Sequence, residues 1–463
     1  MTKEQELLFK VIRESVSHQQ SSDPNLNEDE WHRLFDLAFE QALLPLVYDS
    51  LHQSRTLMKV SKDARNKWYN NAIGSAVRQI TQTNEFLTLI VHAQDKGLDP
   101  IVVKGVVCRN LYPTPCLRTS VDEDLLIMAG ETEKYHDFLI SEGLSADNKE
   151  SEADEREKAY EISYHRENSP TYIELHNSLF DPNSDLFGEL NRLFIEDPSV
   201  FDETQMNHNV KKNLTEGVFE RSVRVQIEDV SVRTLAPTDH FLFLMLHAYK
   251  HFLHSGVGIR PMCDIGLFAE AYGDGIDWKT VRRKLTSVNA FYYARALLRI
   301  IEIYVLPGAE FFTNINDWNI QEINVEPLLE DLFAGGVHGA SSVSRLHSSN
   351  MTLQAVQRRR SHSRESENPK AKWAGIISAP TEFWKHLLGS VFLPYENMKA
   401  RYPYLKRAPF LLPAAWIQRI ARYISEPGLK GKEPGVLDSA SASVRIGQER
   451  IKLLEQYHII KKN

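Results

Sequence analysis

The chain has 463 residues and a net charge of −8, and 42% of its residues are hydrophobic and 25% charged. This length allows two to four domains with substantial cores, and the acidic balance argues against a chain-wide electrostatic preference for nucleic acid. Cys108, Cys116 and Cys263 give neither a paired framework nor a C-x-x-C metal spacing; with no basic leader and no run of ~18 apolar residues, they point to a reduced, cytoplasmic protein.

Residues 3–19 place Leu7, Leu8, Val11, Ile12 and Val16 at helical spacing. Asn27 and Glu30 stand three apart as a capping box, and Trp31, Leu34, Phe35 and Ala38 then supply an apolar face. A longer helix opens near Ser61 and runs through Trp68, Ile73, Val77, Ile80, Phe86, Leu89 and Val91 to Gly97, long enough to bracket the next domain. Residues 1–97 are therefore expected to be an N-terminal helical region.

Residues 98–235 carry the unusual chemistry. Ile101 to Met128 reads as strand, glycine turn, short helix, proline-rich turn and second strand. In an extended segment alternate side chains share a face, so Asp122 and Asp124 project together, with Val121, Leu125 and Ile127 as apolar flanks and Glu123 directed inward. Adjacent carboxylates repel unless a cation or a shared proton compensates them, and hard oxygen ligands at this spacing suit Mg²⁺, with Mn²⁺ as a second choice. Lys104 and Gly105 follow the apolar run Ile101–Val103, where glycine permits close approach to a ligand and the lysine meets a phosphate. Arg118 offers a second, planar cation four residues before Asp122. Farther on, Pro170 to Phe180 alternates so that Ile173 and Leu175 face one side while Tyr172, Glu174 and His176 face the other, which lets Glu174 join the aspartates. The polar patch Lys149 to Lys158 reads as a loop or solvated helix face, and Val223–Ile227 and Val230–Leu235 as strands.

From Pro237 a helical domain over residues 236–335 is expected, with Phe241, Leu242, Leu244, Met245, Ala248 and Phe252 at core spacing. His247 and His251 share a helix face, but no Glu follows the first and no third zinc ligand is recognisable; packing at a cleft is favoured, near Lys250, Arg260 and Asp264. Residues 336–372, including Arg358–Arg360, read as a flexible basic linker. Residues 373–463 form an aromatic-basic helical region that either packs on its own domain or, through 373–424, meets an anionic membrane surface.

Taken in order, KG, LYP-x-P, R-x-x-x-D-x-D-LL-I, I-E-L-H and the L-H-A-x-K-H stretch at Leu246 to His251 resemble the uncharacterised nucleotidyltransferase-like proteins of the DNA polymerase β superfamily. The likeness covers roughly residues 95–270 and continues more weakly to about 424. It implies an α+β fold in which a nucleotidyltransferase-like mixed-sheet core is flanked by N-terminal and C-terminal helical regions. It further implies two-metal transfer of a nucleoside monophosphate from a nucleoside triphosphate to an acceptor. On that likeness Asp122 and Asp124 are the first two metal carboxylates and Glu174 the third, while Lys104, Gly105 and Arg118 hold the triphosphate. Glu123 departs from the apolar residue usual between the aspartates. The competing readings are a nucleotide-binding or scaffold protein without turnover, and a membrane-peripheral interaction protein.

Overall fold

Among the described residues, short extended segments assemble into one mixed sheet of seven strands: β1 (Ile101–Val102), β2 (Glu123–Leu126), β3 (Ser145–Ala146), β4 (Glu161–His165), β5 (Tyr172–His176), β6 (Val223–Ile227) and β7 (Val230–Thr234). The computed structural model describes residues 1–336 apart from 20, 148–152, 185, 196–207 and 255; beyond these it describes 402–425 apart from 407, 436–460, and positions 345, 352, 353 and 356. The spatial order is β3-β4-β5-β2-β1-β7-β6. β2 runs parallel to β5 and β1 parallel to β7, and the remaining neighbours are antiparallel.

The chain falls into two compact units, residues 1–341 with 453–463, and residues 342–452. The first opens with helices α1 (Lys3–Val16), α2 (Glu28–Glu40), α3 (Leu44–Leu51) and α4 (Lys62–Asp95). Both halves of the capping box at α2 form: Asn27 Oδ1 accepts the Glu30 N–H at 2.9 Å, and the Glu30 carboxylate accepts the Asn27 N–H at 2.8 Å. Between strands lie α5 (Gly105–Arg109), α6 (Thr132–Ser141), α7 (Ala153–Lys158) and α8 (His208–Arg221). After β7 come α9 (Pro237–His254), α10 (Ile259–Tyr272), α11 (Trp278–Ser287), α12 (Phe291–Ile300) and α13 (Glu326–Gly335).

The core explains why α4 is long. Phe86, Leu89 and Ile90 from its C-terminal half pack with Tyr135, Phe138 and Leu139 of α6 against Val102, Leu125, Ile173 and Leu175 of the sheet. Burying several such side chains, each worth about 1.5–3 kcal/mol, anchors both helices on one sheet face and leaves polar side chains of β2 and β5 on the other. The N-terminal half of α4 instead shows Tyr69, Ile73, Val77 and Ile80 exposed. Gln41, fully buried, ties the end of α2 to later helices: its amide donates to the Phe333 carbonyl at 3.1 Å and accepts the Ile259 N–H at 2.8 Å. Val121, expected as an apolar flank, is 62% exposed, because β2 begins only at Glu123 and the residues before it form a loop.

The second unit contains α14 (Leu412–Ser425) and most of α15 (Val436–Gln456), with Tyr402, Leu405 and Ala415 in a small apolar cluster. The basic run Arg358–Arg360 and residues 373–401, the larger part of the proposed membrane-facing segment, lie outside the described residues. Among the described residues no helix is long and apolar enough to cross a membrane.

Candidate functional site

The parallel register of β2 and β5 sets Asp124 beside Glu174, and Leu126 beside His176. Because residues two apart on a strand share a face, His176 projects with Glu174 toward Asp124. His176 Nε2 lies 3.1 Å from Asp124 Oδ1 and 3.6 Å from Glu174 Oε2. One ligand atom from each of Asp124, Glu174 and His176 falls within 4.8 Å of the other two. Asp124 Oδ2 and His176 Nδ1 are buried without a hydrogen-bond partner. Two carboxylates and an imidazole this close together, with one oxygen of Asp124 unpartnered, fit a divalent ion, and the nitrogen ligand favours a transition metal over Mg²⁺.

Asp122 is half-buried and stands one alternation earlier on the same side. Lys104 reaches both aspartates, its Nζ 3.0 Å from Asp124 Oδ1 and 4.0 Å from Asp122 Oδ2. Burial works against the charged forms, yet the partners prevail: Asp124 is held well below the ordinary carboxylate range by Lys104 and His176, and Lys104 is held above its ordinary value by the acids. His176 is likewise raised to about 9, its burial outweighed by hydrogen bonds to Asp124 and Glu174. Glu174 is raised, first by burial and then by the charges of Asp124 and Asp122.

Glu123 faces inward as alternation requires and is fully buried. Its Oε1 accepts from Arg109 Nη2 at 2.6 Å and its Oε2 accepts the Val106 N–H at 2.7 Å. Arg109, 1% exposed, also donates to Thr83 Oγ1 at 2.7 Å and Ser120 Oγ at 2.6 Å. The acid between the two aspartates therefore fastens the first turn of α5 to β2. A Cβ on Gly105 would stand 1.8 Å from Glu123 Oε2, and Gly105 has φ +45°, so close approach and backbone hand both call for glycine.

The loop carrying Asp122 is gripped by α4. Gln79 donates to the Ser120 carbonyl at 2.9 Å and accepts its N–H at 3.0 Å, while Gln82 donates to the Val121 carbonyl at 3.1 Å. Arg118 is buried in a fork-shaped pair with Asp264, Nε to Oδ1 at 3.2 Å and Nη2 to Oδ2 at 2.7 Å. Its Nη1 donates to the Gly105 carbonyl at 3.4 Å, and Tyr112 adds a bond to Asp264 at 2.8 Å.

A cavity of about 470 Å³ lies over Asp122, Asp124 and Glu174, a size usual for small-molecule sites. Its opposite wall includes His247, Lys250 and His251 of α9, with Tyr160 and Tyr172 alongside. Burial and the neighbouring Lys104 charge hold Lys250 below its ordinary value, and its Nζ lies 5.9 Å from the centre of the Tyr160 ring. His247 and His251 contact one another, Nε2 to Nε2 at 3.0 Å. The structure thus brings Asp122, Asp124, Glu174 and Lys104 to one cavity, with Gly105 and Arg118 at its edge in a smaller recess. Sequence reasoning placed His176 on the correct face without making it a ligand; its signal was the spacing of two from Glu174. Nothing in the sequence marked Arg109, Gln79 or Gln82.

No curated protein and no solved structure matches the chain. A family model described as uncharacterised nucleotidyltransferase matches residues 27–305, from the capped start of α2 to the end of the helices behind the cavity, and the chain belongs to that family.

Proposed function

We propose that the chain transfers a nucleoside monophosphate from a nucleoside triphosphate to a hydroxyl or phosphate of an acceptor, with pyrophosphate leaving. The observation that carries this reading is the in-register placement of Asp124 beside Glu174, with His176 and Lys104 in contact, on the floor of a cavity whose far wall supplies Lys250. Asp124 and Glu174, with His176, would hold divalent metal, and Asp122 stands beside them; Mg²⁺ is the ordinary choice for triphosphate chemistry and Mn²⁺ fits the nitrogen ligand better. When bound, the metal supplies Lewis-acid polarisation of the transferring phosphoryl group.

The other steps belong to the chain. Lys104 and Lys250 meet the phosphates and offset the charge that builds on the leaving group. Glu174, whose carboxyl is raised above its ordinary value by burial and by the charges of Asp124 and Asp122, receives the acceptor proton. Tyr160 and Tyr172 offer ring faces for the nucleoside and exclude water. Gly105 and Arg118 fix the turn that presents Lys104, through Glu123 and the Gly105 carbonyl respectively.

The test is a thermal-shift screen over ATP, CTP, GTP and UTP with Mg²⁺ or Mn²⁺, comparing the wild type with an Asp122→Asn, Asp124→Asn double variant. Stabilisation of the wild type alone by one nucleotide supports the reading, and labelled transfer to a cell extract then finds the acceptor. Equal shifts in both proteins, or no shift in either, refute it and leave a scaffold of this family.

A further inference from the structure

Lys104 lies against both aspartates in the lining of the cavity. Its ammonium is 3.0 Å from Asp124 and 4.0 Å from Asp122, and its side chain is 17% exposed. The backbone that delivers it is pinned on both sides: Val103 N–H donates to the Asp124 carbonyl at 3.2 Å, and Val107 N–H to the Lys104 carbonyl at 2.9 Å. Gly105, next in line, is locked over the Glu123 carboxylate. Among the described residues its side chain faces the cavity, where the like charge of Lys250 opposes withdrawal of the ammonium.

The remaining donors point elsewhere. Asp124 Oδ1 already meets Lys104 and His176, Asp124 Oδ2 is buried without a hydrogen-bond partner, and one ligand atom each of Asp124, Glu174 and His176 lies within 4.8 Å of the other two. Among the described residues this is the one group of three side chains placed to hold a metal ion. Resting on the reading of this cavity as a metal-dependent transfer site, we infer that it takes a single divalent ion on Asp124, Glu174 and His176, and that the Lys104 ammonium permanently fills the bridging position between Asp122 and Asp124 that a second ion would need. Lys104 then touches acids and phosphate together, as a second metal does in a two-metal site.

Counting bound Mn²⁺ tests this on the full chain, with Mn²⁺ alone and no nucleotide, from the loss of the free-ion electron paramagnetic resonance signal. The wild type and Lys104→Arg should bind one ion per chain. Lys104→Met should bind two, with spin coupling between them showing that the ions are neighbours. His176→Gln should weaken Mn²⁺ binding at least tenfold. A wild type that binds none or two overturns the inference, as does a folded Lys104→Met protein that still binds one, or a His176→Gln affinity equal to wild type. If Lys104→Met does not fold, the wild-type count and the His176→Gln affinity still decide. A chain that binds one Mn²⁺ but gives no nucleotide response refutes the proposed transfer and leaves this inference standing.

Discussion

Replacing Gly105 by alanine should be among the most damaging single-methyl changes in the protein. Two costs arise from separate causes. The backbone at φ +45° suits glycine, and a Cβ in this hand costs about 1–2 kcal/mol. The new methyl would also occupy the space of Glu123 Oε2, forcing that carboxylate away from Arg109 and from the Val106 N–H. Breaking a buried ion pair costs about 3–5 kcal/mol, because Arg109 is left charged where water does not reach. Together the loss is roughly 4–7 kcal/mol, comparable with the whole stability of many domains. A cycle separates the parts. Glu123→Ala alone should cost about 3–5 kcal/mol, and adding Gly105→Ala to it only about 1–2 kcal/mol more. Urea unfolding followed by tryptophan fluorescence and far-ultraviolet circular dichroism supplies the values. A Gly105→Ala cost below about 1 kcal/mol, or full additivity with Glu123→Ala, would refute the reasoning.

Asp122→Asn should nearly abolish transfer while leaving the melting temperature unchanged, since this carboxylate is partly solvated and 4.0 Å from Lys104; retained turnover in the pure variant would sink the assignment. Arg118→Met should lower stability by about 3–5 kcal/mol by stranding Asp264, whereas a raised KM at unchanged stability would make Arg118 a substrate contact. In chelator-treated protein, His176 has a folded value of about 9 against an ordinary 6.5, so its contribution is fully present below 6.5 and lost as pH rises to about 9. The wild-type urea midpoint should therefore fall between pH 6.5 and 9 relative to His176→Gln, and parallel profiles would contradict the Asp124 contact. Gln79→Ala leaves the Ser120 N–H and carbonyl unpaired and should cost about 1–3 kcal/mol; no change in urea midpoint would show that α4 does not hold the loop.

Local rules carried part of the fold in the sequence itself. Asn27 and Glu30 announced α2 because capping is decided within one turn, and alternation around Glu174 announced β5 because Ile173 and Leu175 must face the core. The Glu228–Asp229 connection likewise joins two strands that were legible as separate runs. What was not legible depended on distant neighbours. β3 and β4 are short and polar on one face, and only pairing with β5 makes them strands. Alternation turned Glu123 inward, yet its partner Arg109 lies 14 residues earlier on a helix that gives no charge pattern. Arg118 read as a cation for phosphate because it stands four residues before Asp122; the pair with Asp264 spans 146 residues and exists only once α10 is packed.

The grip of α4 on the loop before β2 bears on how this chemistry can be moved between proteins. The acidic motif spans only Asp122 to Asp124, but the carbonyls and amides that orient it answer to glutamines some forty positions upstream. A graft of the aspartate strand onto another sheet would carry the ligands and lose their aim. A gene fragment cut at the start of β1 would do the same, however well its sheet folded. The transplantable piece is the strand together with the helix behind it, and designs that recombine this family should cross over before Lys62 rather than at the edge of the sheet.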